Sequence, residues 1–145
     1  MRGDGATLDR PKFTIDNAFA IGPVDVKLSP DGSKIATSSV DNSLRVYSLQ
    51  DEESKTGVAT GSYELLCEAP AQKAEAWKID FSADGSELLT GQLSLNTLKV
   101  AQKGEEMELC PLGRSGDEGA ASQKVMHSLA YSRNGDFAAA GNIDG

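Results

Sequence analysis

Histidine occurs once in this chain, at His127, and tryptophan once, at Trp77. There are two cysteines, Cys67 and Cys110. A single histidine excludes a histidine-rich metal site. Two distant cysteines make neither a CxxC pair nor a zinc-ligand spacing. They read as reduced, half-buried thiols, and a disulfide between them stays open. A nucleophilic triad would have to use His127. Its neighbours, Val125 to Tyr131, alternate as a strand does and do not form a nucleophile elbow. Positive charge is also scarce, with 14 Lys and Arg against 22 Asp and Glu and a net charge of −8. That balance argues against sequence-independent phosphate binding and against an anionic membrane surface. No apolar run approaches the roughly 20 residues of a membrane span. Met1 to Arg10 lacks the apolar core of a signal peptide. The expectation is a soluble intracellular chain.

What is present is more informative. Charged residues make up 25% of the 145 positions, as in a globular chain. That length suits one domain or a piece of one. Gly113-Arg114-Ser115-Gly116 lacks the Lys-Ser/Thr of a phosphate loop and reads as a plain loop. The acidic runs Asp51-Glu52-Glu53 and Glu105-Glu106 read as solvated loops. Arg2-Gly3-Asp4 matches an integrin tripeptide by letter only.

One pattern recurs three times. Val24 to Ser38 reads VDVKLSPDGSKIATS, Trp77 to Gly91 reads WKIDFSADGSELLTG, and His127 to Gly141 reads HSLAYSRNGDFAAAG. The motif serines are Ser29, Ser82 and Ser132, with spacings of 53 and 50 residues. Before each serine, apolar residues alternate with polar or small ones (Val26/Leu28, Ile79/Phe81, Leu129/Tyr131), the period of a strand. After each comes turn chemistry. Pro30 presets φ, Asp31, Asp84 and Asn134 can bond their own backbone, and Gly32, Gly85 and Gly135 accept positive φ. Small residues then fill a second strand. Third strands are expected at Leu44–Leu49 and Thr97–Val100, and fourth strands at Tyr63–Cys67 and Met107–Cys110. The loops Gln50–Ser62 and Lys103–Gln123 absorb the excess length. Four antiparallel strands per repeat of about 50 residues is the build of a propeller blade.

These phrases resemble the WD-repeat β-propeller family. The resemblance covers stretches inside 24–145. Its hairpin-turn acid falls at Asp41 and Asp144, while Ser94 stands in the middle copy. Two family features are missing. No Gly-His precedes a first strand, and Tyr47-Ser48 and Ala101-Gln102 stand where Trp-Asp would close the third. The family's His-Asp-Ser-Trp network therefore cannot form in full, and stability must lean on apolar packing between blades. The expected fold is all-β, an incomplete ring of about two and a half blades. Residues 1–12 are expected as a flexible lead, and repeats centre on 24–68, 77–110 and 125–145. Phe13-Thr14-Ile15 would be an outer strand of a preceding blade. An incomplete ring implies either a truncated sequence or an arc closed by oligomerisation.

The resemblance implies a non-enzymatic protein-interaction scaffold that needs no cofactor or metal. Its expected partner-binding rim is Val24, Val40, Trp77, Leu93, His127 and Ile143, with packing between blades as the alternative role for the apolar residues and a packed or solvated strand position as that for His127. Within the family, EAPAQKAEAWKIDFSADGSELLTG and SLAYSRNGDFAAAGNIDG are similar to the WD-repeat scaffold of superkiller complexes. That likeness implies partners that are a tetratricopeptide-repeat protein and an RNA helicase, work in exosome-linked RNA decay, and a cytoplasmic location with a nuclear one open. The alternatives are an adaptor of another assembly, such as the polymerase-associated factor complex, and a propeller hydrolase. The polar residues available to a hydrolase near first strands are Asp25, Glu75, Lys78 and Asp80. They show no mutual spacing logic.

Overall fold

The structure is a computed structural model that describes residues 14–15, 22–52, 60–69, 78–91, 95–111 and 126–142. Ten strands occur among them: β1 (Pro23–Leu28), β2 (Lys34–Ser39), β3 (Leu44–Glu52), β4 (Thr60–Glu68), β5 (Lys78–Phe81), β6 (Glu87–Gly91), β7 (Leu95–Lys99), β8 (Glu108–Pro111), β9 (Met126–Tyr131) and β10 (Ala138–Asn142). They form two four-stranded sheets, β1-β2-β3-β4 and β5-β6-β7-β8, and a two-stranded sheet, β9-β10. Every pairing within the sheets is antiparallel between neighbours in sequence. The fold is all-β, with blades of the WD-repeat propeller type arranged as an incomplete ring. The two full sheets are called blade 1 and blade 2 below, and β9-β10 the third hairpin.

The hairpins form because the motif serine closes each first turn from both sides. The Ser29 N–H donates to the Lys34 carbonyl at 2.9 Å, and the Lys34 N–H returns a bond to Ser29 Oγ at 2.9 Å. Ser82 and Glu87 repeat this at 2.9 and 3.0 Å, and Ser132 and Phe137 at 2.8 and 3.0 Å. In the first two turns Ser29 Oγ and Ser82 Oγ also donate to Asp31 and Asp84. Those carboxylates accept the Ser33 and Ser86 backbone N–H groups, both at 3.0 Å. Gly32, Gly85 and Gly135 sit at φ of 73°, 69° and 79°, where a side chain would be strained. The turns lie next to one another along one rim. Gly85 approaches Ser29 and Pro30, and Gly135 approaches Ala83.

The core is the seam between blades 1 and 2. Register places Lys27, Ala36, Val46 and Cys67 on one face of blade 1. Phe81, Leu88 and Leu98 share the facing side of blade 2. Ala36, Leu44, Val46, Cys67, Ile79, Phe81, Leu88, Leu98 and Met107 form one buried cluster across the seam. Each large side chain removed from water there contributes about 1.5–3 kcal/mol. Apolar packing between blades is thus the main cohesive term. Both cysteines are free thiols, Cys67 buried and Cys110 half-buried.

Several expected boundaries shift. The long hairpin of blade 1 extends through Glu52 and resumes at Thr60, so its strands reach into the expected loop 50–62. Strand β7 starts at Leu95, ahead of Thr97, and β8 reaches Pro111. Thr14 and Ile15 belong to no strand, contrary to the outer strand expected at 13–15, and Phe13 lies outside the described residues. Residues 1–12 also lie outside them.

Candidate functional site

The rim opposite the glycine turns is reached by the start of each first strand and the end of each second strand. Val24 lies in β1 and Val40 follows β2. The pairing of Pro23 with Ser39 brings these two to the same end of blade 1. His127 lies near the start of β9, exposed, at the corresponding end of the third hairpin. Trp77, Leu93, Ile143 and Asp144 lie outside the described residues.

A bulge marks this end of two first strands. Pro23 pairs with Ser39 and Asp25 with Ser38, so Val24 is the extra residue that no partner opposes. Met126 pairs with Asn142 and Ser128 with Gly141, so His127 is the extra residue there. Both occupy the fifth position before the motif serine. A bulge breaks the ladder and re-aims the side chain. Opposite the second bulge a Cβ on Gly141 would meet Ser128 Oγ at 2.6 Å, so only glycine fits without movement. Sequence periodicity cannot show such bulges, because an alternating pattern reads through them.

The turn beside Val40 is tightly organised. Val40 is 39% exposed. The Ser43 N–H donates to Asp41 Oδ1 at 3.0 Å, and the Ser43 hydroxyl donates to the same oxygen. The Asn42 N–H donates to the Ser39 carbonyl at 3.2 Å. Asn42 itself has φ of 67°, the left-handed region that asparagine tolerates better than most residues. Ser39 Oγ donates to the Gly22 carbonyl at 3.3 Å, tying the approach to β1 to this turn.

The inner strands carry a charge arrangement that sequence reading missed. Asp25 and Lys78 lie 4.0 Å apart, and Lys27 and Asp80 3.9 Å apart. These are the positions four and two before the motif serine, with acid and base exchanged between blades. The spacing logic therefore exists between repeats, where a search within one repeat finds none. Each acid also takes a backbone donor from the next unit. The Ile79 N–H donates to Asp25 Oδ2 at 3.2 Å, and the Tyr131 N–H donates to Asp80 Oδ2 at 2.8 Å. A carboxylate engaged by a backbone N–H and an ammonium holds neighbouring strands in register. Of the hydrolase candidates considered, Asp25, Lys78 and Asp80 are used in this way, and Glu75 lies outside the described residues.

Elsewhere, perturbed titration follows structure. The Ser29 hydroxyl and the Ser33 backbone hold the Asp31 carboxyl well below its ordinary range. The Ser86 N–H and the Ser82 hydroxyl hold Asp84 down at about 2. Burial pushes the Cys67 thiol and the Tyr47 and Tyr131 phenols up, which leaves Cys67 a poor nucleophile. Among the described residues no group of three or more His, Cys, Asp or Glu side chains could hold a metal ion.

The outer margin of the seam is closed by main chain. The Gly104 N–H donates to the Leu66 carbonyl at 3.1 Å and the Met107 N–H to the Glu68 carbonyl at 3.2 Å. Glu68 and Glu106 form a parallel bridge, and Lys103 pairs with Glu64. The connection from β7 to β8 thus lies along β4. Beside it, between the Asp41–Arg45 stretch and the Lys103–Glu106 segment, is a concavity of about 690 Å³.

Repeated four-stranded blades with interlocked inner strands and a bulged rim define a fold of propeller type. Comparison with known proteins narrows the class. Residues 19–48 match the family described as WD domain, G-beta repeat. The chain is similar to WD repeat-containing protein SL1-17 of Schistosoma mansoni, 29% identical over 129 residues that cover 86% of this chain and 35% of that protein. The chain spans about a third of that relative's length. Both findings support the WD-repeat family.

Proposed function

We propose that this chain is part of a WD-repeat scaffold that captures segments of other proteins on the rim formed by the bulged first-strand positions and the turns between second and third strands. The observation that carries this reading is the pair of bulges at Val24 and His127. A side chain expelled from the ladder at the same repeat position in two units serves presentation better than sheet stability. Val40 extends the same rim. Trp77, Leu93 and Ile143 complete it in this proposal. WD repeats typically serve as non-enzymatic interaction modules, and the engaged inner carboxylates fit that use better than hydrolysis.

The finer reading is that of the WD-repeat subunit of a superkiller complex. It rests on the phrases around Trp77 and Asn142 quoted above. Its partners would be a tetratricopeptide-repeat subunit and an RNA helicase, its process exosome-linked RNA decay, and its location cytoplasmic. RNA would be handled by those partners, in keeping with a net charge of −8 on this chain. The second reading is an adaptor of the polymerase-associated factor complex, with a nuclear location. Co-purification of the tagged chain with each set of subunits decides between them. Retention of the tetratricopeptide-repeat protein and the helicase, lost on Val24→Asp together with Trp77→Ala, is the expected result. Unchanged retention in a folded double variant overturns the rim.

A further inference from the structure

The concavity at the outer margin of the seam has a composition that selects a ligand. Its lining is mixed, with Leu66 half-buried beside charged and polar residues. Its cations are already engaged: Arg45 Nε bonds Glu68 Oε1 at 2.5 Å, and Lys103 pairs with Glu64. Glu105 and Glu106 also line it. Both are exposed, and no cation lies within ion-pair distance of either among the described residues. Among the described residues, the uncompensated charge of the groove is therefore negative, carried by two adjacent carboxylates. Their backbone is fixed on either side, because the Gly104 and Met107 N–H groups are bonded to β4. A wall already ordered adds little conformational cost when a ligand arrives.

We infer that this groove docks a cationic, extended segment of a partner protein. A lysine or arginine of that segment sits against Glu105 and Glu106. A neighbouring apolar side chain lies on the half-buried Leu66. The volume is within the 300–1,000 Å³ usual for binding pockets. The inference deepens the scaffold reading and rests on it, but it names a site apart from the Val24–His127 rim.

The test uses the full chain and a fluorescein-labelled octapeptide of alternating Arg and Leu, with the Glu-for-Arg peptide as its counterpart. Fluorescence anisotropy should show binding of the Arg peptide alone. Glu105→Gln with Glu106→Gln should weaken it at least tenfold. Asp136→Lys, which changes the net charge by the same amount on the exposed turn of the third hairpin, should leave binding within twofold. Equal binding of both peptides, or unchanged binding in the Glu105/Glu106 variant, overturns the inference. So does equal weakening by Asp136→Lys, which would mean attraction to the overall charge only. Circular dichroism checks that each variant is folded. Should the Glu105/Glu106 variant keep its partner proteins while Val24→Asp with Trp77→Ala loses them, the groove falls and the scaffold reading stands.

Discussion

Val26 and Leu28 in blade 1 hold the same repeat positions as Ile79 and Phe81 in blade 2. The first pair is 54% and 61% exposed, and the second 1% and 5%. The local sequence is equally apolar in both. The difference is the neighbour, since Ile79 and Phe81 meet the face of blade 1 carrying Ala36 and Val46. The face with Val26 and Leu28 continues, by register, through Ile35, Tyr47 and Leu65, and among the described residues no sheet covers it. In a stacked repeat, alternation tells which side chains need a cover, and the adjacent unit decides whether they have one.

The comparison can be broken most forcefully at the core. Phe81→Ala should cost about 3–5 kcal/mol in denaturant unfolding, whereas Leu28→Ala at the equivalent place should stay within about 0.5 kcal/mol. Similar losses at both sites would mean that the open face is covered in solution.

The polar clips offer a second contrast. Asp80→Ala leaves the Tyr131 N–H without its acceptor and should cost about 1–3 kcal/mol. Amide exchange at Tyr131 should quicken markedly. Asp25→Ala should do less at Ile79, because the bonds from Gly104 and Met107 to β4 also hold that junction. Faster exchange at Ile79 than at Tyr131 would reverse the ranking.

Smaller effects separate the turns. Gly85→Ala forces a side chain into φ of 69° and should cost about 1–2 kcal/mol, read as a lowered Tm. Gly22→Ala, with open space around its Cβ, should be near neutral. The smallest effect is one of pH. Asp31 and Asp84 have folded-state pKa values below their unfolded ones. Their contribution is therefore full above the unfolded value near 4 and is lost as pH falls, for Asp84 through about 2. Asp84→Asn should flatten that part of an acid-unfolding curve. An unchanged slope would show that Asp84 is not held by Ser82 and Ser86 in solution.

The hairpins were legible because their causes are local. The stretch from Ser29 to Lys34 carries in six consecutive positions nearly every bond that closes its turn. The blade-to-blade clips were not, because they depend on how one first strand lies against the next. The only trace in sequence was the exchange of Asp-x-Lys at Asp25 and Lys27 for Lys-x-Asp at Lys78 and Asp80. The bulges at Val24 and His127 left no trace, since an extra residue at a strand end does not disturb the alternation that follows it. The docking of 104–107 on β4 was hidden for a further reason. Glu105-Glu106 looked like any acidic loop, and its contacts are made by main chain, which composition does not report.

An outermost strand is a natural place for foreign backbone to zip on. On blade 1 that margin is taken, from Leu66 to Glu68, by the chain's own Gly104–Met107 stretch. The occupied margin keeps a second polypeptide from extending the sheet there. Whatever this molecule gathers along that flank must be held by side chains, and so by choice of sequence, not by indiscriminate strand addition.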